Sequence, residues 1–343
     1  MLQASHKKGQ AARARGARYN QSHMKSRGFL CAIAVLGIAV WAEQKPAQPP
    51  KPAQPAPAQA VPSDEPTRIQ VDVTRVSMLF TVTDRKGRFV TDLTKEDFEV
   101  VEAKKPQTVQ EFTAESDLPL RLGILVDTSN SIRDRFRFEQ EAASEFIKSV
   151  VHSNQDKAMV VRFDTSAELV SDLTTDVDLL ERTIRDLRPG GGTAMYDALF
   201  YACRDKLSQD QPKHKFRRAV VIVSDGDDNQ SHYTRDQALE MAQKADVVVY
   251  AISTNISRIE TDGDKVLKYF AQETGGRAFF PFKVEDLEQS FENIANELRH
   301  QYNLSYRPEP LKTDGLFHTV DVRVKGRKEL QVHVRKGYYA PKM

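Results

Sequence analysis

Two hydrophobic rhythms divide the chain. Between residues 67 and 115 apolar and polar positions alternate. "IQVDVTRVSMLFTVTD" keeps a period of two and breaks at Asp84–Gly87, as a strand does at a turn. "DLTKEDFEVVEAKKPQTVQEF" follows as a capped turn and two more strand-like runs. From about residue 118 the pattern changes. "LRLGILVD" (120–127) is apolar without interruption, as a central parallel strand covered on both faces must be. Phe138, Ala142, Phe146 and Val150 then recur at every fourth position, with Ala143 and Ile147 beside them, which predicts an amphipathic helix.

The same alternation of strand and helix continues. "AMVVRF" reads as a strand and "AELVSDL" as its hairpin partner. "DVDLLERTIRDL" is a helix stopped by Pro189 and three glycines, and "AMYDALFYACRDKL" (194–207) is another. "RAVVIVSDG" is a second buried strand that ends in an acid. "TRDQALEMAQKA" predicts a helix, "DVVVYAIS" a strand, and "DKVLKYFAQETGG" a helix closed by glycine. "RAFFPF" is a last strand and "VEDLEQSFENIANELRHQY" a long final helix. Six strands alternating with six helices predict an α/β fold: a doubly wound, mostly parallel sheet with helices on both faces, over residues 118–300. Alternation without helices returns in 301–343. The termini of a domain often lie close, so the β segments 67–115 and 301–343 are expected to pack into one sandwich-like module.

The N-terminal part follows neither rhythm. Residues 29–42, "FLCAIAVLGIAVWA", form an apolar stretch behind Lys25 and Arg27 and end in Val40-Trp41-Ala42, a small-residue cleavage pattern. The stretch is short for a membrane span, which needs roughly 20 apolar residues. A cleaved secretory leader over 1–42 is expected, with an uncleaved anchor in the inner membrane as the alternative. Either way the chain is exported, to periplasm, envelope or medium. The long basic lead leaves Met1 and Met24 both open as the start. Leu30 before Cys31 argues against a lipoprotein signal. Cys203 is then the only cysteine of the exported chain, so no intramolecular disulfide forms, and it is expected to pack within a helix. Residues 43–66 hold eight prolines in 24 positions, the composition of an extended spacer.

Charge narrows the function. Residues 1–42 carry seven Lys/Arg and no Asp/Glu; without those seven, 43 basic residues face 48 acidic ones. The exported part is therefore acidic, which argues against a nucleic-acid surface.

Three polar loops fall at the carboxyl ends of predicted strands, where open α/β sheets bind ligands. Asp127, Ser129 and Ser131 lie in the first. Thr193 follows glycines 190–192 in the second. Asp225 ends a buried strand in the third, "VSDGDDN", in which Asp227 and Asp228 are expected to form a solvated rim. Each loop alone is explained by a helix cap or a tight turn. Together they supply two carboxylates and three hydroxyls, hard oxygen donors suited to Mg²⁺ or Mn²⁺, with Ca²⁺ a poorer fit.

The combination D-x-S-x-S, a threonine after a glycine-rich loop, and S-D-G at a later strand end resembles the metal-ion-dependent adhesion site of von Willebrand factor type A domains. Asp127, Ser129, Ser131, Thr193 and Asp225 occupy its five positions. "LTKEDFEV" and the terminal "RKGYYAP" also resemble secreted bacterial proteins that carry this domain. The resemblance implies that Ser129, Ser131 and Thr193 hold a divalent ion through hydroxyls, that Asp127 and Asp225 hold it directly or through water, and that an Asp or Glu of a partner protein completes it. It implies binding rather than catalysis.

Three rivals remain beside it. A scaffold role, with the ion only stiffening the loops, shares all these features. An aspartate-based phosphatase wants a second carboxylate two residues after Asp127, where Ser129 stands. A serine hydrolase wants a G-x-S-x-G elbow, which neither Ser129 nor Ser131 has.

Overall fold

The computed structural model describes residues 75–342, apart from residues 115–117, 134, 153–154, 212, 256 and 258 and the side chains of residues 284 and 285. The expected leader (1–42), the proline-rich spacer (43–66) and the start of the first β segment lie outside the described residues. No helix among the described residues is long and apolar enough to cross a membrane.

Four strands come first: β1 (Val76–Thr83), β2 (Phe98–Glu102), β3 (Lys105–Gln107) and β4 (Val109–Thr113). The α/β part follows as β5 (Leu120–Asp127), α1 (Phe136–Val150), β6 (Lys157–Phe163), β7 (Ala167–Thr174), α2 (Val177–Asp186), α3 (Met195–Tyr201), β8 (Arg217–Ser224), α4 (Arg235–Lys244), β9 (Val248–Ser253), α5 (Asp262–Thr274), β10 (Ala278–Phe279) and α6 (Val284–Arg299). The chain ends in β11 (Tyr302–Tyr306), β12 (Phe317–Val324), β13 (Gln331–Val334) and β14 (Gly337–Tyr339).

The central sheet has the order β10-β9-β8-β5-β6-β7, parallel except for the β6–β7 hairpin. All eight residues of β5 are buried, which explains its unbroken apolar run. One core lies between the sheet and α1, α2 and α6; another lies between the sheet and α3, α4 and α5. Cys203 is packed in the second, and burial pushes its thiol far above the usual range. The six strands and helices therefore stand where the periodicity predicts them. Chain order reverses at β5, which runs on to β6 on one side and lies against β8 on the other. The reversal puts a crevice at the carboxyl ends of β5 and β8.

The two outer segments interleave. One sheet is β13-β1-β11-β4 and the other β14-β12-β2-β3, so each mixes strands from before and after the α/β part. They share a core in which Phe80, Phe98, Phe112 and Tyr302 pack ring on ring at 5.0–5.6 Å. Glu102 is buried there and accepts from the Tyr306 and Tyr338 hydroxyls at 2.9 and 3.0 Å. Arg335 joins this module to the base of the central sheet: it pairs with Asp246 just before β9 and donates to the Ser77 carbonyl at 2.6 Å.

Local structure departs from the periodicity at four points. The helix expected over 194–207 is α3 followed by a π-helical turn, Ala202–Leu207. "RAFFPF" gives only a two-residue strand, because Pro281 has no N–H to continue the ladder. The terminal "ELQVHVRKGYYAP" is two strands in different sheets, with Arg335, paired to Asp246, between them. In α1 the buried seam runs through Phe136, Glu139, Ala143, Phe146 and Val150, and Phe138 is 47% exposed. A strict four-residue repeat drifts around a helix of 3.6 residues per turn, so the seam begins two residues before Phe138.

Candidate metal centre

Asp127 is fully buried at the end of β5, and both its oxygens are engaged. Oδ1 accepts the Ser129 backbone N–H at 2.8 Å, which folds the chain back on itself after the strand. Oδ2 accepts the Ser224 hydroxyl at 2.6 Å from the end of β8. Ser129 and Ser131 share a hydrogen bond of 2.8 Å between their hydroxyls. Ser129 is buried and Ser131 exposed, so this pair of oxygens runs from the interior to the surface. Neither Asp127 nor Ser129 caps α1, whose N-cap is Arg135.

The glycine loop is stitched to the first loop. Gly190 N–H donates to the Thr128 carbonyl at 2.6 Å, and Asn130 N–H donates to the Gly191 carbonyl at 3.3 Å. Gly191 has φ +87°, and a Cβ there would stand 2.7 Å from the Thr165 hydroxyl. A Cβ on Gly192 would meet the Gln230 side chain at 2.6 Å, whereas one on Gly190 would meet nothing within 4 Å. Thr193 is buried, and its carbonyl accepts the N–H groups of Asn229 and Gln230 at 3.0 Å. Its own N–H donates to Asn229 Oδ1 at 3.1 Å, which ties the second loop to the third.

The third loop is braced from both sides. The Ser224 hydroxyl that holds Asp127 also accepts the Gly226 N–H at 3.0 Å. Gly226 has φ +82° and lies against the first turn of α5: a Cβ on it would be 2.4 Å from the Gly263 carbonyl, and a Cβ on Gly263 would be 2.2 Å from that of Asp225. Asp228 accepts from the Tyr196 N–H at 2.9 Å and from the Ser231 N–H and hydroxyl. It therefore fixes the start of α3, next to Thr193, and is not merely the solvated rim expected from sequence. Asp227 is exposed.

Hydrogen bonds thus join the loops that carry Asp127, Ser129, Ser131, Thr193 and Asp225, all at the carboxyl edge of one sheet. Burial is the main cause that raises the Asp127 carboxyl, to about 6, and the nearby Asp225 adds to it; the bonds from Ser224 and Ser129 act the other way. An acidic, partly buried site lined with hydroxyls is the environment a hard divalent cation relieves. Among the described residues no group of three or more His, Cys, Asp or Glu is placed to hold a metal, so any ion here depends on the hydroxyl oxygens.

Sequence reasoning missed several supporting residues. Ser224 precedes Asp225 and carries the bond that orients Asp127. Thr128 is buried and donates through N–H and hydroxyl to the Phe163 carbonyl at 2.8 and 3.2 Å, anchoring the loop to β6. Glu139 is buried behind the site, with neither oxygen hydrogen-bonded among the described residues. An acid on the apolar seam of α1 was the signal for it, hidden by the phase assigned to that helix.

The family model of the von Willebrand factor type A domain matches residues 122–227, a span that contains all five candidate donors. An uncharacterized protein of Borreliella burgdorferi is 26% identical over 130 residues, which cover 37% of this chain and 36% of that protein. Among solved structures, a von Willebrand factor type A protein from Catenulispora acidiphila is 13% identical, with 78% of this chain and 75% of that one covered at a TM-score of 0.48. Proximal thread matrix protein 1 from the mussel byssus, with a zinc-occupied MIDAS motif, is 17% identical, with 57% and 49% covered at a TM-score of 0.46.

Proposed function

The chain carries a von Willebrand factor type A domain, and from that premise we propose that it binds a divalent cation and through it a protein partner. Asp127, Ser129, Ser131, Thr193 and Asp225 would hold the ion, Mg²⁺ or Mn²⁺ by the hardness of the donors. The single observation that supports this best is the Ser129–Ser131 hydroxyl pair beside the Asp127 carboxylate. Two carboxylates balance a divalent charge but leave an octahedral ion short of ligands, and a bound cation supplies Lewis acidity toward one more anionic oxygen. The partner would offer it as an Asp or Glu side chain. Binding rather than catalysis is supported by Asp127, which is buried and hydrogen-bonded at both oxygens, a poor disposition for a nucleophile. The basic, then apolar N-terminal sequence supports export to the cell envelope or beyond.

Affinity capture from the native envelope tests this. Partner proteins should be retained with Mg²⁺, lost with EDTA, and lost from Asp127→Ala and Thr193→Ala. Retention by both variants that still responds to EDTA would reject the donor assignment. Stabilisation by Mg²⁺ with no partner retained would favour the scaffold role.

A further inference from the structure

Behind the candidate metal centre lies a small cleft between α1, the end of β9 and the start of α6. Arg135, Phe138, Glu139, Ser253, Thr254, Pro281 and Leu287 line it. Glu139 is 2% exposed and Thr254 7%, and neither carboxyl oxygen nor the Thr254 hydroxyl has a hydrogen-bond partner among the described residues. An ionised carboxylate in that state would be heavily penalised. The cleft is continuous with the cation site through the backbone: Thr254 N–H donates to the Ser224 carbonyl at 3.0 Å, and the Ser224 hydroxyl holds Asp127. Glu139 lies eight residues beyond Ser131 and hydrogen-bonds to none of the five donors.

We propose that Glu139 is the rear carboxyl of the cation centre, uncharged while Asp127 and Asp225 stand bare before it and ionised when a divalent ion is held between them. Given that Asp127 and Asp225 serve as cation donors, the balance is simple. The ion's two positive charges cancel the repulsion of the two carboxylates and leave Arg135 acting on Glu139 against burial; the Glu139 O–H bond breaks, and the proton passes to the buffer through the cleft beside half-exposed Phe138. The charged groups that act on Glu139 are Asp127 from β5, Asp225 from the loop after β8, and Arg135 from the turn before α1. The described cleft residues from β9 and α6, Ser253, Thr254, Pro281 and Leu287, are uncharged. Burial and the two aspartates push Glu139 up to about 8, while Arg135 pulls the other way. Glu139 is a positioning residue: it sets the charge behind the ion without touching it.

Calorimetric titration of the EDTA-stripped protein with MgCl₂ tests this, in two buffers of different ionisation enthalpy at pH 7.5. The native protein should release roughly half a proton or more per ion bound, and Glu139→Gln less than about a tenth while still binding Mg²⁺. Equal release from the two proteins overturns the role of Glu139 and leaves the cation site standing. No Mg²⁺ binding by the native protein overturns both. If Glu139→Gln does not fold, the native protein alone decides. Its release should fall toward zero by about pH 9.5, where Glu139 is already ionised, and release that stays level from pH 7.5 to 9.5 overturns the proposal.

Discussion

The Ser224 hydroxyl donates to the Asp127 carboxylate at 2.6 Å, across the boundary between the two central strands of the sheet. The same hydroxyl accepts the Gly226 N–H, so one buried atom fixes the orientation of the first loop and the turn of the third. Ser224→Ala should lower cation affinity about tenfold and cost about 1–2 kcal/mol of stability, the usual penalty for leaving buried polar groups unpaired. Calorimetry with Mg²⁺ and urea denaturation check the two effects. Unchanged affinity would remove Ser224 from the centre.

Glycine substitutions should separate geometry from composition. Gly263→Ala puts a Cβ 2.2 Å from the Asp225 carbonyl, with backbone on both sides and no flexible end to yield. It should displace the third loop and lower Mg²⁺ affinity at least tenfold. Gly190→Ala meets nothing within 4 Å and should bind as the native protein does. Parallel titrations of the two variants check the contrast.

Stability should fall as pH rises in the cation-free protein. Burial raises Glu139 to about 8, Glu297 to about 7 and Asp127 to about 6. An acid with a raised folded-state value holds its proton in the folded chain after the unfolded chain has lost it. Its contribution is therefore lost between the unfolded value and the folded one, here from about pH 4 to about pH 8. Glu139 alone should account for a loss on the order of 2–3 kcal/mol between pH 5 and 7.5. Thermal melts in EDTA across that range should show the decline, and Glu139→Gln should make it shallower by about half, since Glu297 and Asp127 still contribute. A native melting temperature that rises over the range would contradict the burial of these acids in neutral form.

Arg335 acts at the other end of the sheet. Its pair with Asp246 and its bond to the Ser77 carbonyl hold the β module to the base of the α/β part. Asp246 is partly exposed, so Arg335→Ala should cost about 2 kcal/mol rather than the full penalty of a buried pair. Denaturation should register the loss while Mg²⁺ affinity stays unchanged. A change in affinity would mean that the two ends are coupled.

The elements that bury continuous apolar runs were legible in the sequence. β5 and β8 declare themselves by composition, and their terminal acids follow from where those runs stop. What was hidden depends on side-chain direction and on contacts distant in sequence. The helix phase through Phe138 concealed Glu139, because a four-residue repeat and the true seam share Phe146 and Val150. Asp228 reads as one more surface acid until α3 arrives beside it. The turn between β2 and β3 gives no glycine or asparagine signal, since Ala103 and Lys104 themselves adopt φ of 49° and 64°.

The most direct test of the cation centre is anomalous diffraction from crystals grown with Mn²⁺. A single strong peak is expected among Asp127, Ser129, Ser131, Thr193 and Asp225, with Ser129 and Ser131 hydroxyls at roughly 2.1–2.3 Å from it. An ordered loop cluster at saturating Mn²⁺ with no peak there, or with the peak elsewhere on the molecule, would contradict the account.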